Sequence, residues 1–249
     1  MPAIFGRNAD SDLQRTYFMP MQRPTWRRYS MKPVVRFAKI FWLALWAGIM
    51  TLLLFIPMML ASVLSTTGNL AFSISKIWAR AMLLASFTRV DIHGKDKIRK
   101  GQSYVIISNH QSHYDILALV TTLGMQFRWI IKKELLKIPL FGRALYASRN
   151  IFIDRQNPES ARESIRKGLE RLPDGTSIMF FAEGTRSLDG RLGDFKKGGF
   201  AVALENSFPV LPVTVNGSRK VLSKGSLEFR PGRIGVTVGD PIDTVGYDH

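Results

Sequence analysis

Hydrophobic residues are distributed so that the chain divides near residue 88. Residues 40 to 75 contain no charged side chain, and residues 40 to 64 are almost continuously apolar. A helix that crosses a lipid bilayer needs about 20 such residues. The pattern therefore predicts a membrane segment over residues 37 to 88, between an N-terminal arm of residues 1 to 36 and a polar domain of residues 89 to 249.

The membrane segment carries signals for two helices. Pro57 interrupts the apolar run, and the Ser-Thr-Thr-Gly-Asn cluster at residues 65 to 69 is typical of a turn. Residues 70 to 87 then resume with the periodicity of an amphipathic helix. We interpret the segment as a helical hairpin that enters the membrane and returns. In the alternative, the first helix crosses the membrane and the second lies on the far interface.

Downstream of residue 88, short β-rich runs alternate with helical patterns. The predicted strands cover residues 89–93, 104–108, 127–131, 151–153, 177–181, 210–215, 227–230 and 234–238, and the predicted helices cover residues 112–123, 158–172 and 195–205. Such alternation predicts an α/β fold with a mixed β-sheet flanked by helices, preceded by the membrane-embedded hairpin. Ligands of such sheets bind beyond the carboxyl ends of the strands, so polar residues there are the candidates for a site.

Composition narrows the classes of function. The chain has 35 Lys and Arg against 19 Asp and Glu, a net charge of +16, which favours nucleic acid, anionic lipid or a phosphorylated substrate as partner. The long apolar segment favours lipid, and no nucleic-acid-binding motif is recognisable. The absence of cysteine excludes disulfides, thiolate metal sites and a cysteine nucleophile. We interpret residues 1 to 36 as a mobile basic arm that lies on anionic headgroups, or else as a solvated tail without a specific role.

The first polar cluster, residues 109 to 115, follows the predicted strand 104–108. Five positions separate His110 from Asp115, so the two would not share a face of one straight helix. They can meet if His110 lies in the loop and Asp115 in the first turns of the next helix. The carboxylate would then fix one imidazole nitrogen and leave the other free to act as a general base. Alternatively, His110 caps the helix or satisfies a buried carbonyl group, and we treat His113 as structural or solvent-facing.

Further clusters follow other predicted strands. In residues 181 to 187, Gly184 permits a tight turn and Arg186 supplies a fork of donors that suits phosphate. Residues 151 to 155 bring Arg155 to another strand end. Either cluster alone could be a turn with a surface ion pair, but several polar clusters at strand ends indicate a site.

Two weaker features complete the set. Residues 210 to 213 are apolar, and Pro212 within them predicts an edge strand or a bulge. Lys132 and Lys133 are further candidates for binding phosphate or an oxyanion, although a solvated pair is the preferred interpretation.

These clusters together resemble a known family. His110 and Asp115 match its signature of His, four residues, then Asp, and residues 181 to 187 resemble its Phe-Pro-Glu-Gly-Thr-Arg-Ser block, with Ala182 where proline is usual. Residues 151 to 155 and 210 to 213 resemble the other two blocks, in the expected order. The chain thus resembles the 1-acylglycerol-3-phosphate acyltransferases of the glycerolipid acyltransferase family over about residues 89 to 242.

The resemblance implies an activity and a set of roles. It implies transfer of an acyl group from acyl-CoA or acyl carrier protein to the free sn-2 hydroxyl of lysophosphatidate, giving phosphatidate, with no metal, cofactor or covalent acyl-enzyme. His110 would be the base, Asp115 its orienting partner, and the lysophospholipid site would consist of Arg155, Glu183, Gly184, Thr185 and Arg186. Lysophosphatidate, the thioester donor and anionic membrane lipids are the expected partners.

Topology and alternatives follow from the same reasoning. Basic residues before the apolar run place the N-terminus in the cytoplasm, so a returning hairpin puts the catalytic domain on the cytoplasmic face, where the thioester donor is found. The first alternative is an acyltransferase for another acceptor, glycerol 3-phosphate or a lyso-aminolipid. The second, from a different class, is a non-catalytic basic protein that binds membranes or nucleic acid.

Overall fold

A computed structural model describes residues 33 to 246 of the chain. The first helix, α1 (Pro33–Leu64), begins within the last four residues of the predicted arm, and the rest of that arm lies outside the described residues. Proline suits the first position of a helix because its missing N–H would have no intrahelical partner there. Pro57 lies inside α1, so the predicted interruption at that residue does not end the helix.

The second helix, α2 (Asn69–Ala85), returns antiparallel to α1. Trp42 Nε1 donates to Ala85 O at 3.0 Å, near the end of α2, and the indole of Trp78, earlier in α2, donates to Thr51 farther along α1. The predicted helical hairpin is therefore present as a fold element. At 1.5 Å per residue α1 is about 48 Å long, and it is long and apolar enough to cross a membrane.

Seven strands form one mixed sheet beyond the hairpin. They are β1 (Thr88–His93), β2 (Val105–Ser108), β3 (Phe127–Lys132), β4 (Ile151–Ile153), β5 (Ser177–Phe181), β6 (Val210–Asn216) and β7 (Gly232–Val238). The order is β1-β7-β6-β2-β5-β3-β4, and each neighbouring pair is parallel except β6 with β7. The predicted α/β class with a mixed sheet is confirmed.

The remaining helices are α3 (His113–Thr122), α4 (Phe141–Ala147), α5 (Pro158–Leu169), α6 (Gly198–Glu205) and α7 (Ser218–Val221), with 3-10 turns at Lys95–Lys97 and Lys133–Lys137. Alternate residues of a strand face opposite sides of a sheet. Accordingly, Ile106 packs in a core with α2, α3 and α7, whereas Ile107 packs in a second core with α5 and α6. The hairpin thus covers one face of the sheet, and α5 and α6 cover the other.

One prediction about the carboxyl-terminal strands was wrong, and one of the two alternatives for Pro212 is excluded. Residues 227 to 230 form no strand, because Arg230 N donates to Val221 O and the segment packs against α7 instead of pairing. Pro212 is not in an edge strand, since β6 lies between β7 and β2. The alternative of a bulge fits better: between the Val213–Val238 pair and the Val210–Ile242 bridge, the partner segment contains one extra residue.

Candidate active site

His110 and Asp115 meet at the carboxyl end of β2. His110 is the second residue after the strand, and Asp115 lies in the first turn of α3. His110 Nδ1 is 2.8 Å from Asp115 Oδ2. The loop-and-helix arrangement that the five-residue spacing requires is therefore the one the structure adopts.

Asp115 has a second task at the start of α3. Ser112 is the N-cap residue, and its side chain accepts from Tyr114 N while Asp115 Oδ2 accepts from Ser112 N at 2.8 Å, a capping box. Gln111 N also donates to Oδ2, at 2.7 Å. Because three donors converge on one oxygen of a fully buried carboxylate, the position of that oxygen against the imidazole is fixed by the backbone.

The contact with Asp115 determines which imidazole nitrogen of His110 can accept a proton. A carboxylate accepts, so Nδ1 carries the proton toward Asp115 and Nε2 is left to accept another. Only 13% of the His110 side chain is exposed. Its ring stacks on Phe181, with centroids 3.7 Å apart and planes inclined by 7°, and Phe181 stacks in turn on Trp129. The imidazole is thus held by the carboxylate at its edge and by an aromatic ring on its face.

Glu183 supports the loop that carries His110. Its carboxylate accepts from His110 N at 2.9 Å through Oε1 and from Gly193 N at 3.0 Å through Oε2, and its residue is buried. Both oxygens are therefore engaged by the backbone on either side of the site. These contacts favour a positioning role for Glu183, whereas the family resemblance implied that it belongs to the lysophospholipid site.

Arg186 brings a positive charge near His113, three residues after His110. Among residues 33 to 246 its guanidinium forms no ion pair, while its carbonyl oxygen accepts from Lys224 Nζ at 2.7 Å. Partial burial, and then the charge of Arg186, lowers the pKa of His113 below its ordinary value. His113 therefore stays neutral beside a cation that is available to an anion.

The neighbours of Arg186 shape its loop. Gly184 has φ +67°, a conformation that favours glycine. Thr185 is exposed, and its hydroxyl is 3.3 Å from Lys224 Nζ. Gly184 and Thr185 thus belong to a tight loop that Lys224 holds from one side.

Arg155 lies on the other side of this loop. It is exposed at the end of β4 and donates through Nη1 to Gly184 O at 2.7 Å. It lines a cavity between α5 and α6, whereas Arg186 lies near His113. The structure therefore places the two predicted phosphate-binding arginines at separate locations.

The two lysines after β3 are engaged elsewhere. Lys132 pairs with Glu134 at 3.3 Å, and Lys133 pairs with Asp154. Asp154 therefore does not orient its neighbour Arg155. These pairs agree with the preferred interpretation of Lys132 and Lys133 as surface charges.

Asn109 is a supporting residue that received no role from the sequence. Its side chain donates from Nδ2 to Val215 O at 2.9 Å and accepts at Oδ1 from Val215 N at 2.8 Å. This pair ties the loop before His110 to β6. The position of Asn109 in the sequence could have predicted this role. It follows an apolar strand and precedes a candidate base, and the amide of a buried asparagine has to form hydrogen bonds.

Ala182 extends the sheet at the site. Its N–H donates to Ser108 O at 2.9 Å, which continues the β2–β5 ladder by one bond past Phe181. A proline at this position could not donate. The departure from the family block therefore adds a contact between the two strands that carry the site.

An apolar cavity of about 110 Å³ lies between the hairpin and the sheet. Phe55 of α1, Trp78 of α2 and Trp129 of β3 contribute to its walls. Trp129 also stacks on Phe181, so the ring of Phe181 lies between this wall of the cavity and the imidazole of His110. Among residues 33 to 246, no group of three His, Asp or Glu side chains could hold a metal ion.

Comparisons with known proteins place this chain in an acyltransferase family. A family model described as Acyltransferase matches residues 89–216. A chloroplastic 1-acyl-sn-glycerol-3-phosphate acyltransferase from Brassica napus is 37% identical over 61% of the chain and 44% of the relative, and one from Arabidopsis thaliana is 36% identical over 68% and 48%. The chain thus spans about half the length of these relatives.

A solved structure shares the fold. The crystal structure of the 1-acyl-sn-glycerophosphate acyltransferase PlsC from Thermotoga maritima aligns with a TM-score of 0.75 and 24% identity, covering 87% of this chain and 88% of that one. The likeness extends over most of the chain and therefore includes part of the N-terminal helices as well as the sheet.

Proposed function

Because this chain belongs to the acyltransferase family, we propose that it transfers a fatty acyl group from a thioester donor to the sn-2 hydroxyl of 1-acylglycerol 3-phosphate. The observation that carries the proposal is the His110–Asp115 pair, in which the Nδ1 contact of 2.8 Å leaves Nε2 to act as the base. The relatives from Brassica napus and Arabidopsis thaliana carry this activity in their names.

The proposed reaction is direct acyl transfer. His110 Nε2 takes the proton of the sn-2 hydroxyl as its oxygen attacks the thioester carbonyl carbon. The new C–O bond forms, the tetrahedral oxyanion collapses, and the C–S bond breaks. The thiolate leaves and takes the proton from the imidazolium, which Asp115 has stabilised. The products are phosphatidate and the free thiol of the carrier.

Arg186 is the proposed partner of the acceptor phosphate. A guanidinium can donate two parallel hydrogen bonds to phosphate, and this one has no competing ion pair among residues 33 to 246. Its position beside His113 keeps it within the surroundings of the base. The phosphate would therefore orient the glycerol so that its free hydroxyl faces Nε2.

The apolar cavity under the hairpin is the proposed place for the acyl chain at the reacting carbonyl. It adjoins Trp129, which reaches His110 through Phe181. The helix that covers it, α1, carries exposed apolar residues such as Leu52 and Ile56 on its outer face. The acyl chain would therefore lie on the membrane side of the base.

The hairpin is proposed to lie in one leaflet, with the catalytic domain on the cytoplasmic face. Both ends of α1 contact that domain: Arg36 pairs with Glu228 at 3.6 Å, and Met58 and Ala61 share a core with Ala147. A perpendicular crossing would carry one of these contacts through the hydrocarbon layer. Single cysteines at residues 8 and 220 should therefore react with an impermeant thiol reagent from the same side, and labelling from opposite sides would contradict this topology.

The test of the activity is an acyl-transfer assay with purified full chain in phospholipid vesicles. Lysophosphatidate, glycerol 3-phosphate and a lyso-aminolipid should be offered separately, each with acyl-CoA and with acyl carrier protein. We expect transfer to lysophosphatidate to exceed transfer to the others. Preference for another acceptor would change the assigned substrate and keep the reaction type. The absence of transfer with every pair of substrates would refute the proposal.

A further inference from the structure

A second, larger cavity lies on the face of the sheet opposite the hairpin. Its volume is about 620 Å³, and it lies between α5 and α6 over the carboxyl ends of the central strands. The floor is apolar, formed by side chains such as Ile107, Ile130 and Phe180. A cavity of this size suits a cofactor-sized ligand.

The rim of this cavity is cationic. Arg155, Arg162, Lys196 and Lys197 line it, and among residues 33 to 246 none of them pairs with a carboxylate. Of the two acidic residues in the lining, Glu183 accepts from backbone N–H groups, and Glu205 lies at the far end of α6. The excess of unpaired positive charge favours a phosphorylated ligand.

The cavity ends beside the loop that carries His110. Phe181 and Gly184 belong to its lining, and so does Glu183, whose carboxylate accepts from His110 N at 2.9 Å. One end of a ligand in the cavity would therefore lie next to the backbone of the His110 loop, at the carboxyl edge of the sheet. The other end would be exposed to water on the side away from the hairpin.

The two substrates of the proposed reaction reach the protein from different surroundings, one from the membrane and one from water. The acceptor is a membrane lipid, and its phosphate is assigned above to Arg186. The acyl donor is carried by a water-soluble group through a 4′-phosphopantetheine arm, which combines a phosphate, two amides and an apolar dimethyl segment. This arm matches a cavity with a cationic rim and an apolar floor on the water-facing side of the sheet.

We infer that the α5–α6 cavity binds the 4′-phosphopantetheine arm of the thioester donor, with Arg162 and Lys197 around its phosphate and the thioester beside Phe181. The inference rests on the proposed function, because it requires such a donor. The arm is common to coenzyme A and acyl carrier protein. Both donors should therefore use the cavity.

Charge reversals on the rim test the inference. Arg162→Glu and Lys197→Glu change exposed side chains, and Arg171→Glu is the matched control because it makes the same change at an exposed position outside the cavity. For each rim variant we expect the KM for acyl-CoA and for acyl carrier protein to rise about tenfold or more. The KM for lysophosphatidate and the kcat at saturating donor should stay within about twofold, and the control should behave as wild type.

Direct binding separates this inference from the proposed function. Binding of coenzyme A and of free 4′-phosphopantetheine to the full chain, measured by calorimetry, should weaken in the rim variants and not in the control. Unchanged donor KM and unchanged binding, or a rise in acceptor KM alone, would overturn the inference. A rise with one carrier only would overturn the assignment to the shared arm. A wild type that binds coenzyme A but never acylates lysophosphatidate would refute the proposed function, and the binding comparison would still decide where the arm lies.

Discussion

The guanidinium of Arg128, in β3, donates a hydrogen bond of 2.6 Å to Asn69 Oδ1 at the start of α2. The same nitrogen donates to Thr67 O at 2.9 Å, and the cation lies over the ring of Phe72. Burial lowers the pKa of Arg128 to about 10, so the side chain remains charged at neutral pH. A fully buried cation therefore holds the turn of the hairpin against the sheet.

Arg128→Met should loosen this attachment. It leaves the acceptors at Thr67 and Asn69 without their donor, and each buried unsatisfied group costs about 1–3 kcal/mol. We expect the midpoint of thermal unfolding in detergent to fall by about 4 °C or more. Arg143→Met, at an exposed position of α4, is the control. An equal midpoint in the two variants would show that the buried cation does not hold the hairpin.

His110→Ala should lower kcat by about 10²-fold or more and leave the KM for lysophosphatidate nearly unchanged, because a general base acts mainly in the transition state. The measurement is steady-state kinetics in vesicles on protein whose unfolding midpoint matches wild type. Ser112→Ala and Ser187→Ala check for a serine nucleophile, whose loss would abolish transfer. A folded His110→Ala protein with the wild-type rate would remove His110 from the mechanism.

Asp115→Asn should affect rate and stability together. The amide carries no charge to stabilise the imidazolium, and a neutral oxygen is a weaker acceptor for the donors of Gln111 and Ser112. We expect kcat to fall by about 10²-fold and the free energy of unfolding by about 1–2 kcal/mol. Calorimetry and kinetics on the same preparation check both effects. Lost stability with an intact kcat would leave Asp115 as a cap alone.

Arg186→Ala should raise the KM for lysophosphatidate about tenfold or more, since a charge-assisted hydrogen bond contributes about 1.5–3 kcal/mol. Arg186→Lys should restore part of this loss, because it keeps the charge without the fork. Arg191→Ala removes an exposed arginine of the same loop and serves as control. If the donor KM rose and the acceptor KM did not, the two phosphate assignments would have to be exchanged.

His113→Gln should flatten the loss of stability in acid. The pKa of His113 is lowered, mainly by partial burial and then by Arg186, so the folded state binds its proton less well than the unfolded chain. Stability should then fall as pH drops below about 6.5, the ordinary histidine value. As the pH falls from about 7.5 to about 5, we expect the unfolding midpoint of the variant to increase relative to that of the wild type. In an Arg186→Ala background this gain should shrink, and a constant difference across the range would exclude the effect.

Local patterns in the sequence were sufficient for much of the fold. The strands Ile151–Ile153 and Ser177–Phe181 have the predicted bounds, because short apolar runs bounded by polar clusters leave little choice. The helices α4 and α7 were not predicted, since seven and four residues are too few to show a period. The edge position of Pro212 was wrong because strand order depends on pairings between residues far apart in the chain.

The candidate site was likewise predicted only in part from the sequence. The contact of His110 with Asp115 follows from one spacing and one strand end, so the sequence was sufficient to predict it. Glu183 and Arg155 were grouped with Arg186 because the family resemblance implies one lysophospholipid site made of all three. The backbone contacts of Glu183 and the cavity beside Arg155 depend on how β4, β5 and α6 assemble, which no single motif encodes.

One oxygen of Asp115 both caps α3 and contacts His110, so the position of the imidazole depends on the first turn of that helix. Fraying of this one turn would release the imidazole and withdraw Tyr114 from the core under the hairpin, while the strand pairing of the sheet and the second core stayed intact. We therefore expect activity to be lost on heating at a temperature below the midpoint of thermal unfolding. On cooling, activity should return without refolding, because the strand pairing of the β-sheet that positions this turn would have stayed intact.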